Sequence, residues 1–456
     1  MKSRLASSVL VLAACSAMEQ ADVAVWRDAI EGAGGAARSV AEEGPLGVLD
    51  AMTLANRGSE TLAIAGEDYV QALLARRRAA AAFLPTLALV PTFAWNEVTG
   101  VRRATALDVP VDASFALNPV RDTEQVIAEG ASAEQRRALL LDVQDRLLLD
   151  VARTFYDVIR AERAVGVLEN SVRVQDQRVA DAEARLAAGL IRPLDVSSTR
   201  AQAAATRADL TAARNRVRTG RALLAQLVTS AIGDRALVDT LEIPAAEASL
   251  DQLVGEAERR RPDLEAAAHR VDAARAQVRA AYGEYFPSIS VDLDAFLRRE
   301  SEPASLDWTS LLVVSQPLFS AGVIEADVRG ALSELRQARA EQARLERVVR
   351  REVETAYLDV ASASERVGQL GERAAAARDA LAQAEGLYDV GLATNLEALV
   401  ARDRMLAAEL DLVGAELDRK TFHLELMRAA GSLHELLGIT RPEPTVGVRD
   451  GDAEAG

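Results

Sequence analysis

The stretch Leu84-Pro85-Thr86-Leu87-Ala88-Leu89 returns 202 residues later as Phe286-Pro287-Ser288-Ile289-Ser290-Val291. The same offset relates Thr154-Phe155-Tyr156-Asp157-Val158 to Ala356-Tyr357-Leu358-Asp359-Val360, and Ala188-Gly189-Leu190 to Val390-Gly391-Leu392. Between these anchors the register slips. Asn118-Pro119 pairs with Gln316-Pro317 at an offset of 198, then the offset returns to 202, as a short insertion in one half would produce. Agreement at three separated places marks an internal duplication. The chain reads as two copies of one unit, residues 46–235 and 248–439, joined by a linker or equatorial segment at 236–247.

Each copy has the same order. A helical stretch comes first, Leu62 to Ala82 and Pro262 to Tyr285, with Pro262 suited to a first helical turn that needs no N–H. Two strand-like segments follow. In Leu107-Asp108-Val109-Pro110-Val111-Asp112-Ala113-Ser114-Phe115-Ala116-Leu117-Asn118 the odd positions are apolar and the even ones mostly polar or small. Leu87, Leu89, Phe93 and Trp95 line one side of the first segment. Ile289, Val291, Leu293, Ala295 and Leu297 alternate with Ser288, Ser290, Asp292 and Asp294, and Leu306, Trp308, Leu312 and Val314 line one face of the fourth segment. Period-two alternation is the signature of a strand with one buried face. Each segment is about ten to twelve residues, the length a tilted strand needs to cross a bilayer. A soluble sheet packed on one face has the same pattern. Pro91 and Pro110 belong near a strand end or a bulge.

Two very long helical stretches close each copy. Val151, Val158, Val165, Val172, Val179 and Leu186 recur every seven residues, with Leu147, Ala161, Leu168 and Ala182 on the companion position. The second copy repeats this seam with Val353, Val360, Val367, Leu381 and Tyr388, interleaved by Val349, Ala356, Ala363, Leu370, Ala377 and Ala384. Such a seam predicts coiled-coil helices, and some 65 residues would make a rod of roughly 100 Å. The return helices carry Leu210, Val217, Leu224 and Leu410, Leu417, Leu424. Gly189 and Gly391 suit the left-handed residue that ends a helix. Pro193 can open the first return helix; Thr394 or Asn395 can cap the second, with Glu397 in its first turn. An ordinary antiparallel coiled coil with no function at its tips would show the same heptads.

Composition narrows the function. Against 53 Lys and Arg stand 69 Asp and Glu, a net charge of −16 at pH 7. That argues against a nucleic-acid partner, which needs a basic face. His269, His423 and His434 have no metal-ligand spacing, and there is no P-loop, GxGxxG or GxSxG. The sequence therefore predicts no enzyme, no cofactor and no metal site. Cys15 is the sole cysteine. It follows Lys2, Arg4 and the apolar run Leu5 to Ala14, and Leu12-Ala13-Ala14-Cys15-Ser16 looks like a bacterial lipobox. The expected layout is a signal peptide at 1–14, a lipid-anchored extended lead at 15–45 with Cys15 acylated, and a flexible tail at 440–456. Four strands cannot close a membrane barrel, and open edges are forbidden in lipid. If the strands span, three chains give a wall of twelve.

The order helix, strand, strand, long helix, long helix, twice, with a Gly-Leu turn at each rod tip, resembles the TolC family of outer-membrane efflux factors, and Cys15 its lipidated branch. The matching pieces include Leu46 to Leu62, Leu84-Pro85-Thr86-Leu87, Leu194-Asp195-Val196, Arg261-Pro262-Asp263-Leu264, Phe286-Pro287-Ser288, Gln316-Pro317-Leu318-Phe319 and the two Gly-Leu tips. The resemblance implies a mainly α fold with membrane β: long antiparallel coiled-coil hairpins forming a trimeric α-barrel, plus a shared twelve-stranded β-barrel with four strands per chain. It implies a homotrimer in the lipid of the outer membrane, reaching into the periplasm. The trimer would be a passive exit duct of a tripartite efflux or type I secretion system, docking to a periplasmic adaptor and an inner-membrane pump. Gly189, Leu190, Gly391 and Leu392 would be the adaptor-docking tips, and Glu397 a carboxylate narrowing the periplasmic mouth. The family more often has Asp there, and Val400 stands at its next acidic position, which implies a thinner charge ring. The alternative is a periplasmic coiled-coil adaptor or scaffold lipoprotein, although an adaptor usually has one hairpin with flanking β domains and no two-fold repeat.

Overall fold

A computed structural model of the chain describes residues 21–31, 44–98, 101–242, 248–299 and 307–441. Its elements in chain order are α1 (21–31), β1 (Leu46–Gly47), α2 (Val48–Gly58), α3 (Glu60–Ala81), β2 (Thr86–Leu89), β3 (Thr92–Val98), β4 (Val101–Leu117), α4 (Pro119–Ala187), α5 (Pro193–Val228), β5 (Leu237–Val238), α6 (Leu250–Arg260), α7 (Pro262–Gly283), β6 (Ser288–Arg298), β7 (Trp308–Ser315), α8 (Val323–Asp389), α9 (Asn395–Ala430) and a short 3-10 turn, Leu433–Leu437. Each copy thus ends in one helix of 69 or 67 residues and a return helix of 36. Contacts sort the chain into two units, one built mainly from Ile64–Leu140 and Pro262–Glu346, the other mainly from Leu141–Arg261 and the chain beyond Arg347.

The first unit holds the antiparallel sheet, in the order β2-β4-β6-β7, with β3 also paired to β4. The first segment, expected as one strand, is two: it breaks at Val90-Pro91, although the Val90 amide still donates to the Pro110 carbonyl at 3.2 Å. Pro110 falls where the β4–β6 register shifts. Both prolines sit at irregularities because neither can donate to a ladder. The register sorts the side chains by polarity. One face carries the rows Leu89–Val111–Ala295–Trp308, Phe115–Val291–Leu312 and Leu117–Ile289–Val314. The other carries Ala88–Asp112–Asp294–Thr309 and Thr86–Ser114–Asp292–Leu311. The apolar face is open: Leu87, Leu89, Phe93, Leu297, Trp308, Leu312 and Val314 are all exposed. A soluble sheet would bury that face, so this finding overturns the soluble alternative. The Trp95 side chain and Leu306 lie outside what the structure describes. The helices of this unit pack on one another, Val271, Ala274 and Val278 of α7 meeting Leu335 and Ala338 of α8.

Asn118 locks the first copy to the second at the sheet's helical end. Its Nδ2 donates to the Gly283 carbonyl at 2.9 Å and to the Phe286 carbonyl at 3.3 Å. Its Oδ1 accepts the Arg121 amide, capping α4. The approach is close: a Cβ at Gly283 would stand 2.5 Å from the Arg121 nitrogen.

In the second unit the heptad seam is buried as expected, at Leu147, Val151, Val158, Leu168, Ala182, Val349 and Val353. Leu168, Leu210 and Ala213 cluster with Val165, Val172 and Leu406. A seven-residue ladder of ion pairs runs beside it between α5 and α4: Arg200–Glu183 (2.6 Å), Arg207–Asp176 (2.5 Å), Arg214–Glu169 (2.8 Å) and Arg221–Glu162 (2.5 Å). The first three pairs are exposed, and such pairs contribute about 0.2–1 kcal/mol each, so they fix register more than stability.

Three stretches differ from their expected form. The extended lead contains α1, with Trp26 and Ile30 buried; Trp26 fills the space beside Gly66, where a Cβ would fall 2.4 Å from its ring. The 236–247 linker contributes β5, which pairs in parallel with β1, while Asp239 binds Lys420 at 2.6 Å. Arg441, assigned to the tail, is partly buried and forks onto both carboxylate oxygens of Asp145 at 2.8 Å; residues 442–456 lie outside the described chain. Beside that pair His434 is buried, and burial and the cations Arg441 and Arg260 push its pKa down to about 4 against the pull of Asp145.

Two consequences are measurable. Asn118→Ala removes two cross-copy hydrogen bonds and a helix cap, and should cost about 2 kcal/mol, read as a lower denaturant midpoint. For His434 the folded pKa lies below the unfolded value of about 6.5, so the unfolded state takes up the proton first. Stability should be full above about pH 6.5 and fall by up to about 3 kcal/mol as pH drops toward about 4. His434→Gln should flatten the melting temperature across that window.

Candidate functional site

The two hairpin tips are built from the same parts. α4 ends with the Leu190 amide donating to the Arg185 carbonyl (2.9 Å), and α8 with the Leu392 amide donating to the Leu387 carbonyl (2.8 Å). This six-to-one closure requires a left-handed residue, supplied by Gly189 (φ +72°) and Gly391 (φ +80°). It throws the next side chain outward: Leu190 is 74 % exposed and Leu392 78 %. Leu194, Val390 and Leu396 are exposed around them.

The return helices also start alike. In the second copy Thr394 is the N-cap: its Oγ1 accepts the Glu397 amide at 3.3 Å, and its own amide donates to Glu397 Oε2 at 2.7 Å. In the first copy the Arg192 amide donates to Asp195 Oδ2 at 3.2 Å. Asp195 and Glu397 are 202 residues apart and do the same work at N3. Asp195 differs in that the Arg192 guanidinium, also bonded to it, holds its carboxyl below the usual range. Glu397 is exposed and lines an open groove of about 650 Å³ on α8 and α9, with Leu396, Val400, Ala377, Ala380, Arg373 and Arg404.

The structure brings the two tips together. Asn395 Nδ2 donates to Thr199 Oγ1 (3.0 Å) and the Asp195 carbonyl (3.3 Å). Arg185 binds Asp389 at 3.1 Å and lies 5.0 Å over the Tyr388 ring. Farther from the tips Gln202 Nε2 donates to Asp403 at 2.7 Å, and Glu385 Oε1 receives both Arg178 (2.6 Å) and Arg402. Arg402 is buried, and burial together with Arg178 pushes its pKa down to about 10. Sequence reading missed this cluster. The signal was present in the offset, because Arg402 and Glu385 answer Arg200 and Glu183. Cys15 lies outside the described residues. Among the described residues no group of histidine, cysteine or acidic side chains could hold a metal ion.

Known proteins match this arrangement. Residues 253–432 fit the family model described as outer membrane efflux protein. The multidrug resistance outer membrane protein MdtP of Escherichia coli O157:H7 is 26 % identical over 300 residues, covering 64 % of this chain and 61 % of MdtP, so the match spans under two thirds of that relative. The outer membrane efflux protein BepC of Brucella suis biovar 1 is 28 % identical over 320 residues, 67 % of each chain. In fold, the outer membrane protein VceC of Vibrio cholerae superposes with a TM-score of 0.75 at 20 % identity, covering 84 % of this chain and 96 % of VceC. Over residues 253–432 the chain thus resembles the outer membrane efflux proteins, and its fold is that of VceC.

Proposed function

We propose that this chain is the outer-membrane exit duct of an efflux or type I secretion system. The observation that carries the reading is the sorted sheet, whose open apolar face suits hydrocarbon and whose Asp112, Asp292 and Asp294 face suits water. Three copies would close twelve strands into one barrel, since neither outer edge can stay unpaired in lipid. The long helices would continue the wall through the periplasm. Solutes then pass by diffusion and no bond is made or broken, so the chain acts as a channel and not an enzyme. Its net charge of −16 per copy favours cations wherever it faces the lumen.

In this reading the exposed leucines at Gly189-Leu190 and Gly391-Leu392 meet a periplasmic adaptor, which links the duct to an inner-membrane pump. Contiguous exposed apolar side chains mark an interaction site. Glu397 contributes to a ring at the periplasmic mouth, and Cys15 carries the acyl anchor. An adaptor or scaffold lipoprotein would have no use for a sheet with an open apolar face.

Replacing both Gly189 and Gly391 by Leu forces a side chain into left-handed backbone, at about 1–2 kcal/mol each. Expressed in a strain lacking its own duct, this variant should still give folded trimers yet lose drug or dye export; export at the parental rate would place docking elsewhere. Cys15→Ala should abolish incorporation of labelled palmitate while heat-modifiable trimers persist, and continued labelling would exclude Cys15 as the acylation site.

A further inference from the structure

The duplication also predicts a contact that a single chain cannot make. The helix preceding each copy's first strand ends in the same turn. The amides of Glu284, Tyr285 and Phe286 donate to the carbonyls of Ala281, Tyr282 and Gly283 (3.3, 3.1 and 3.0 Å). The amides of Ala82, Phe83 and Leu84 donate to those of Ala79, Ala80 and Ala81 (3.2, 3.2 and 3.0 Å), each 202 residues earlier. One turn is gripped, because Asn118, at the end of β4, bonds the carbonyls of Gly283 and Phe286. This happens because β4 and β6 are antiparallel neighbours, so the residue leaving β4 meets the residues entering β6.

The other turn, 81–84, precedes β2, an outer strand of the sheet. The residue equivalent to Asn118 is Gln316, which leaves β7, the opposite outer strand. Strand directions alternate along β2-β4-β6-β7, so β7 of one copy and β2 of the next are antiparallel when the wall closes. The residues leaving β7 then meet the residues entering β2 of the neighbour. The apolar surfaces agree. Gln316 and Pro317 are followed by the segment that the first copy lacks, where Leu318 is 94 % exposed and Phe319 89 %, and two residues, Ala321 (φ 51°) and Gly322 (φ 84°), are left-handed before α8 starts. Across the expected seam Leu84 is 67 % exposed and Phe83 39 %.

We propose that Gln316-Pro317-Leu318-Phe319 of one copy docks on residues 81–84 of a second copy of this chain. Gln316 takes there the part that Asn118 takes on 283–286, and Leu318 and Phe319 cover Phe83 and Leu84. The occupant is a second copy, because the contact continues the pairing of edge β7 with edge β2 by which the sheet can close, and repeats a contact the chain already makes with itself. A lipid-facing role would not require the segment to sit on the outer strand alone.

The inference rests on the trimeric reading, and one experiment separates the two. Phe319→Cys and Leu84→Cys are placed in the full-length chain, singly and together, and membranes are treated with a short bismaleimide. Covalent dimers and trimers should appear only with both cysteines, and the single variants control for Cys15. Heat-modifiable trimers without such a cross-link would overturn this contact and leave the duct intact, while a chain that never trimerises would overturn the duct itself. Gln316→Ala, which keeps the fold, should lower the temperature at which trimers dissociate; an unchanged temperature would overturn the part given to Gln316. A photoactivatable phospholipid that labels position 319 in intact trimers would assign Leu318 and Phe319 to the membrane and overturn the proposal.

Discussion

A strand edge cannot be left bare in hydrocarbon. Each unpaired N–H and C=O there costs several kcal/mol, with no water to compensate. This sheet has two such edges, on β2 and β7, and an apolar face that its own helices leave open. Only further copies can satisfy both. The polar face imposes the complementary demand. Asp112 stands directly opposite Asp294, with Asp292 close by. Two carboxylates so placed repel strongly in a dry interior and weakly in water, so that face must line an aqueous space. A dry outside, a wet inside and closure by further copies together make the proposed duct, and the alternation of residues along β4 and β6 is consistent with all three.

The duplication reaches atomic detail, and its exceptions are informative. The helix-end turns, the glycine tips and the N3 carboxylates match bond for bond across 202 residues. One ladder rung survives with its signs exchanged: Arg207–Asp176 in the first copy becomes Glu409–Arg378 in the second. That rung is kept as a pair although each partner has changed sign. Where the copies diverge, equivalence within the chain has to break. Arg200 is exposed beside Glu183, while Arg402 is buried between its own hairpin and Arg178. The extra residues after Gln316 fall on the one junction with no neighbour in its own chain.

What the sequence revealed followed from locality. Heptads, period-two alternation and the paired motifs gave the helices, strands and repeat, because each reports on contacts within a few residues. Gly189 and Gly391 were legible because positive φ leaves few other choices, and Pro91 and Pro110 because a missing N–H confines them to irregular positions. The remainder depended on partners far along the chain. Nothing near Arg441 announces Asp145, and nothing near Trp26 announces the hollow beside Gly66. The 15–45 lead looked featureless, since a helix as short as α1 carries too few turns for a periodic signal. Asn395 suited a helix cap; its amide instead ties the second tip to the first, and Thr394 takes the cap.

The proposed gate residue illustrates how one carboxylate can hold two tasks. In the first copy the cap at N3 is electrically quiet, because Arg192 neutralises Asp195. In the second copy the N-cap is Thr394, which brings a hydroxyl and no charge. Glu397 closes the capping box there through its Oε2. A helix start favours an acidic side chain in its first turn by about 0.3–1 kcal/mol. At ~10 Å in water two such charges repel by only about 0.4 kcal/mol, less with salt. In the proposed trimer, the three pairs among three such carboxylates would cost about 1.2 kcal/mol in all, comparable with the roughly 1–3 kcal/mol that three helix starts return. The proposed acidic ring would in this sense be a by-product of capping α9 with a neutral residue, and the change from Arg192 to Thr394 between the copies would be what exposes it.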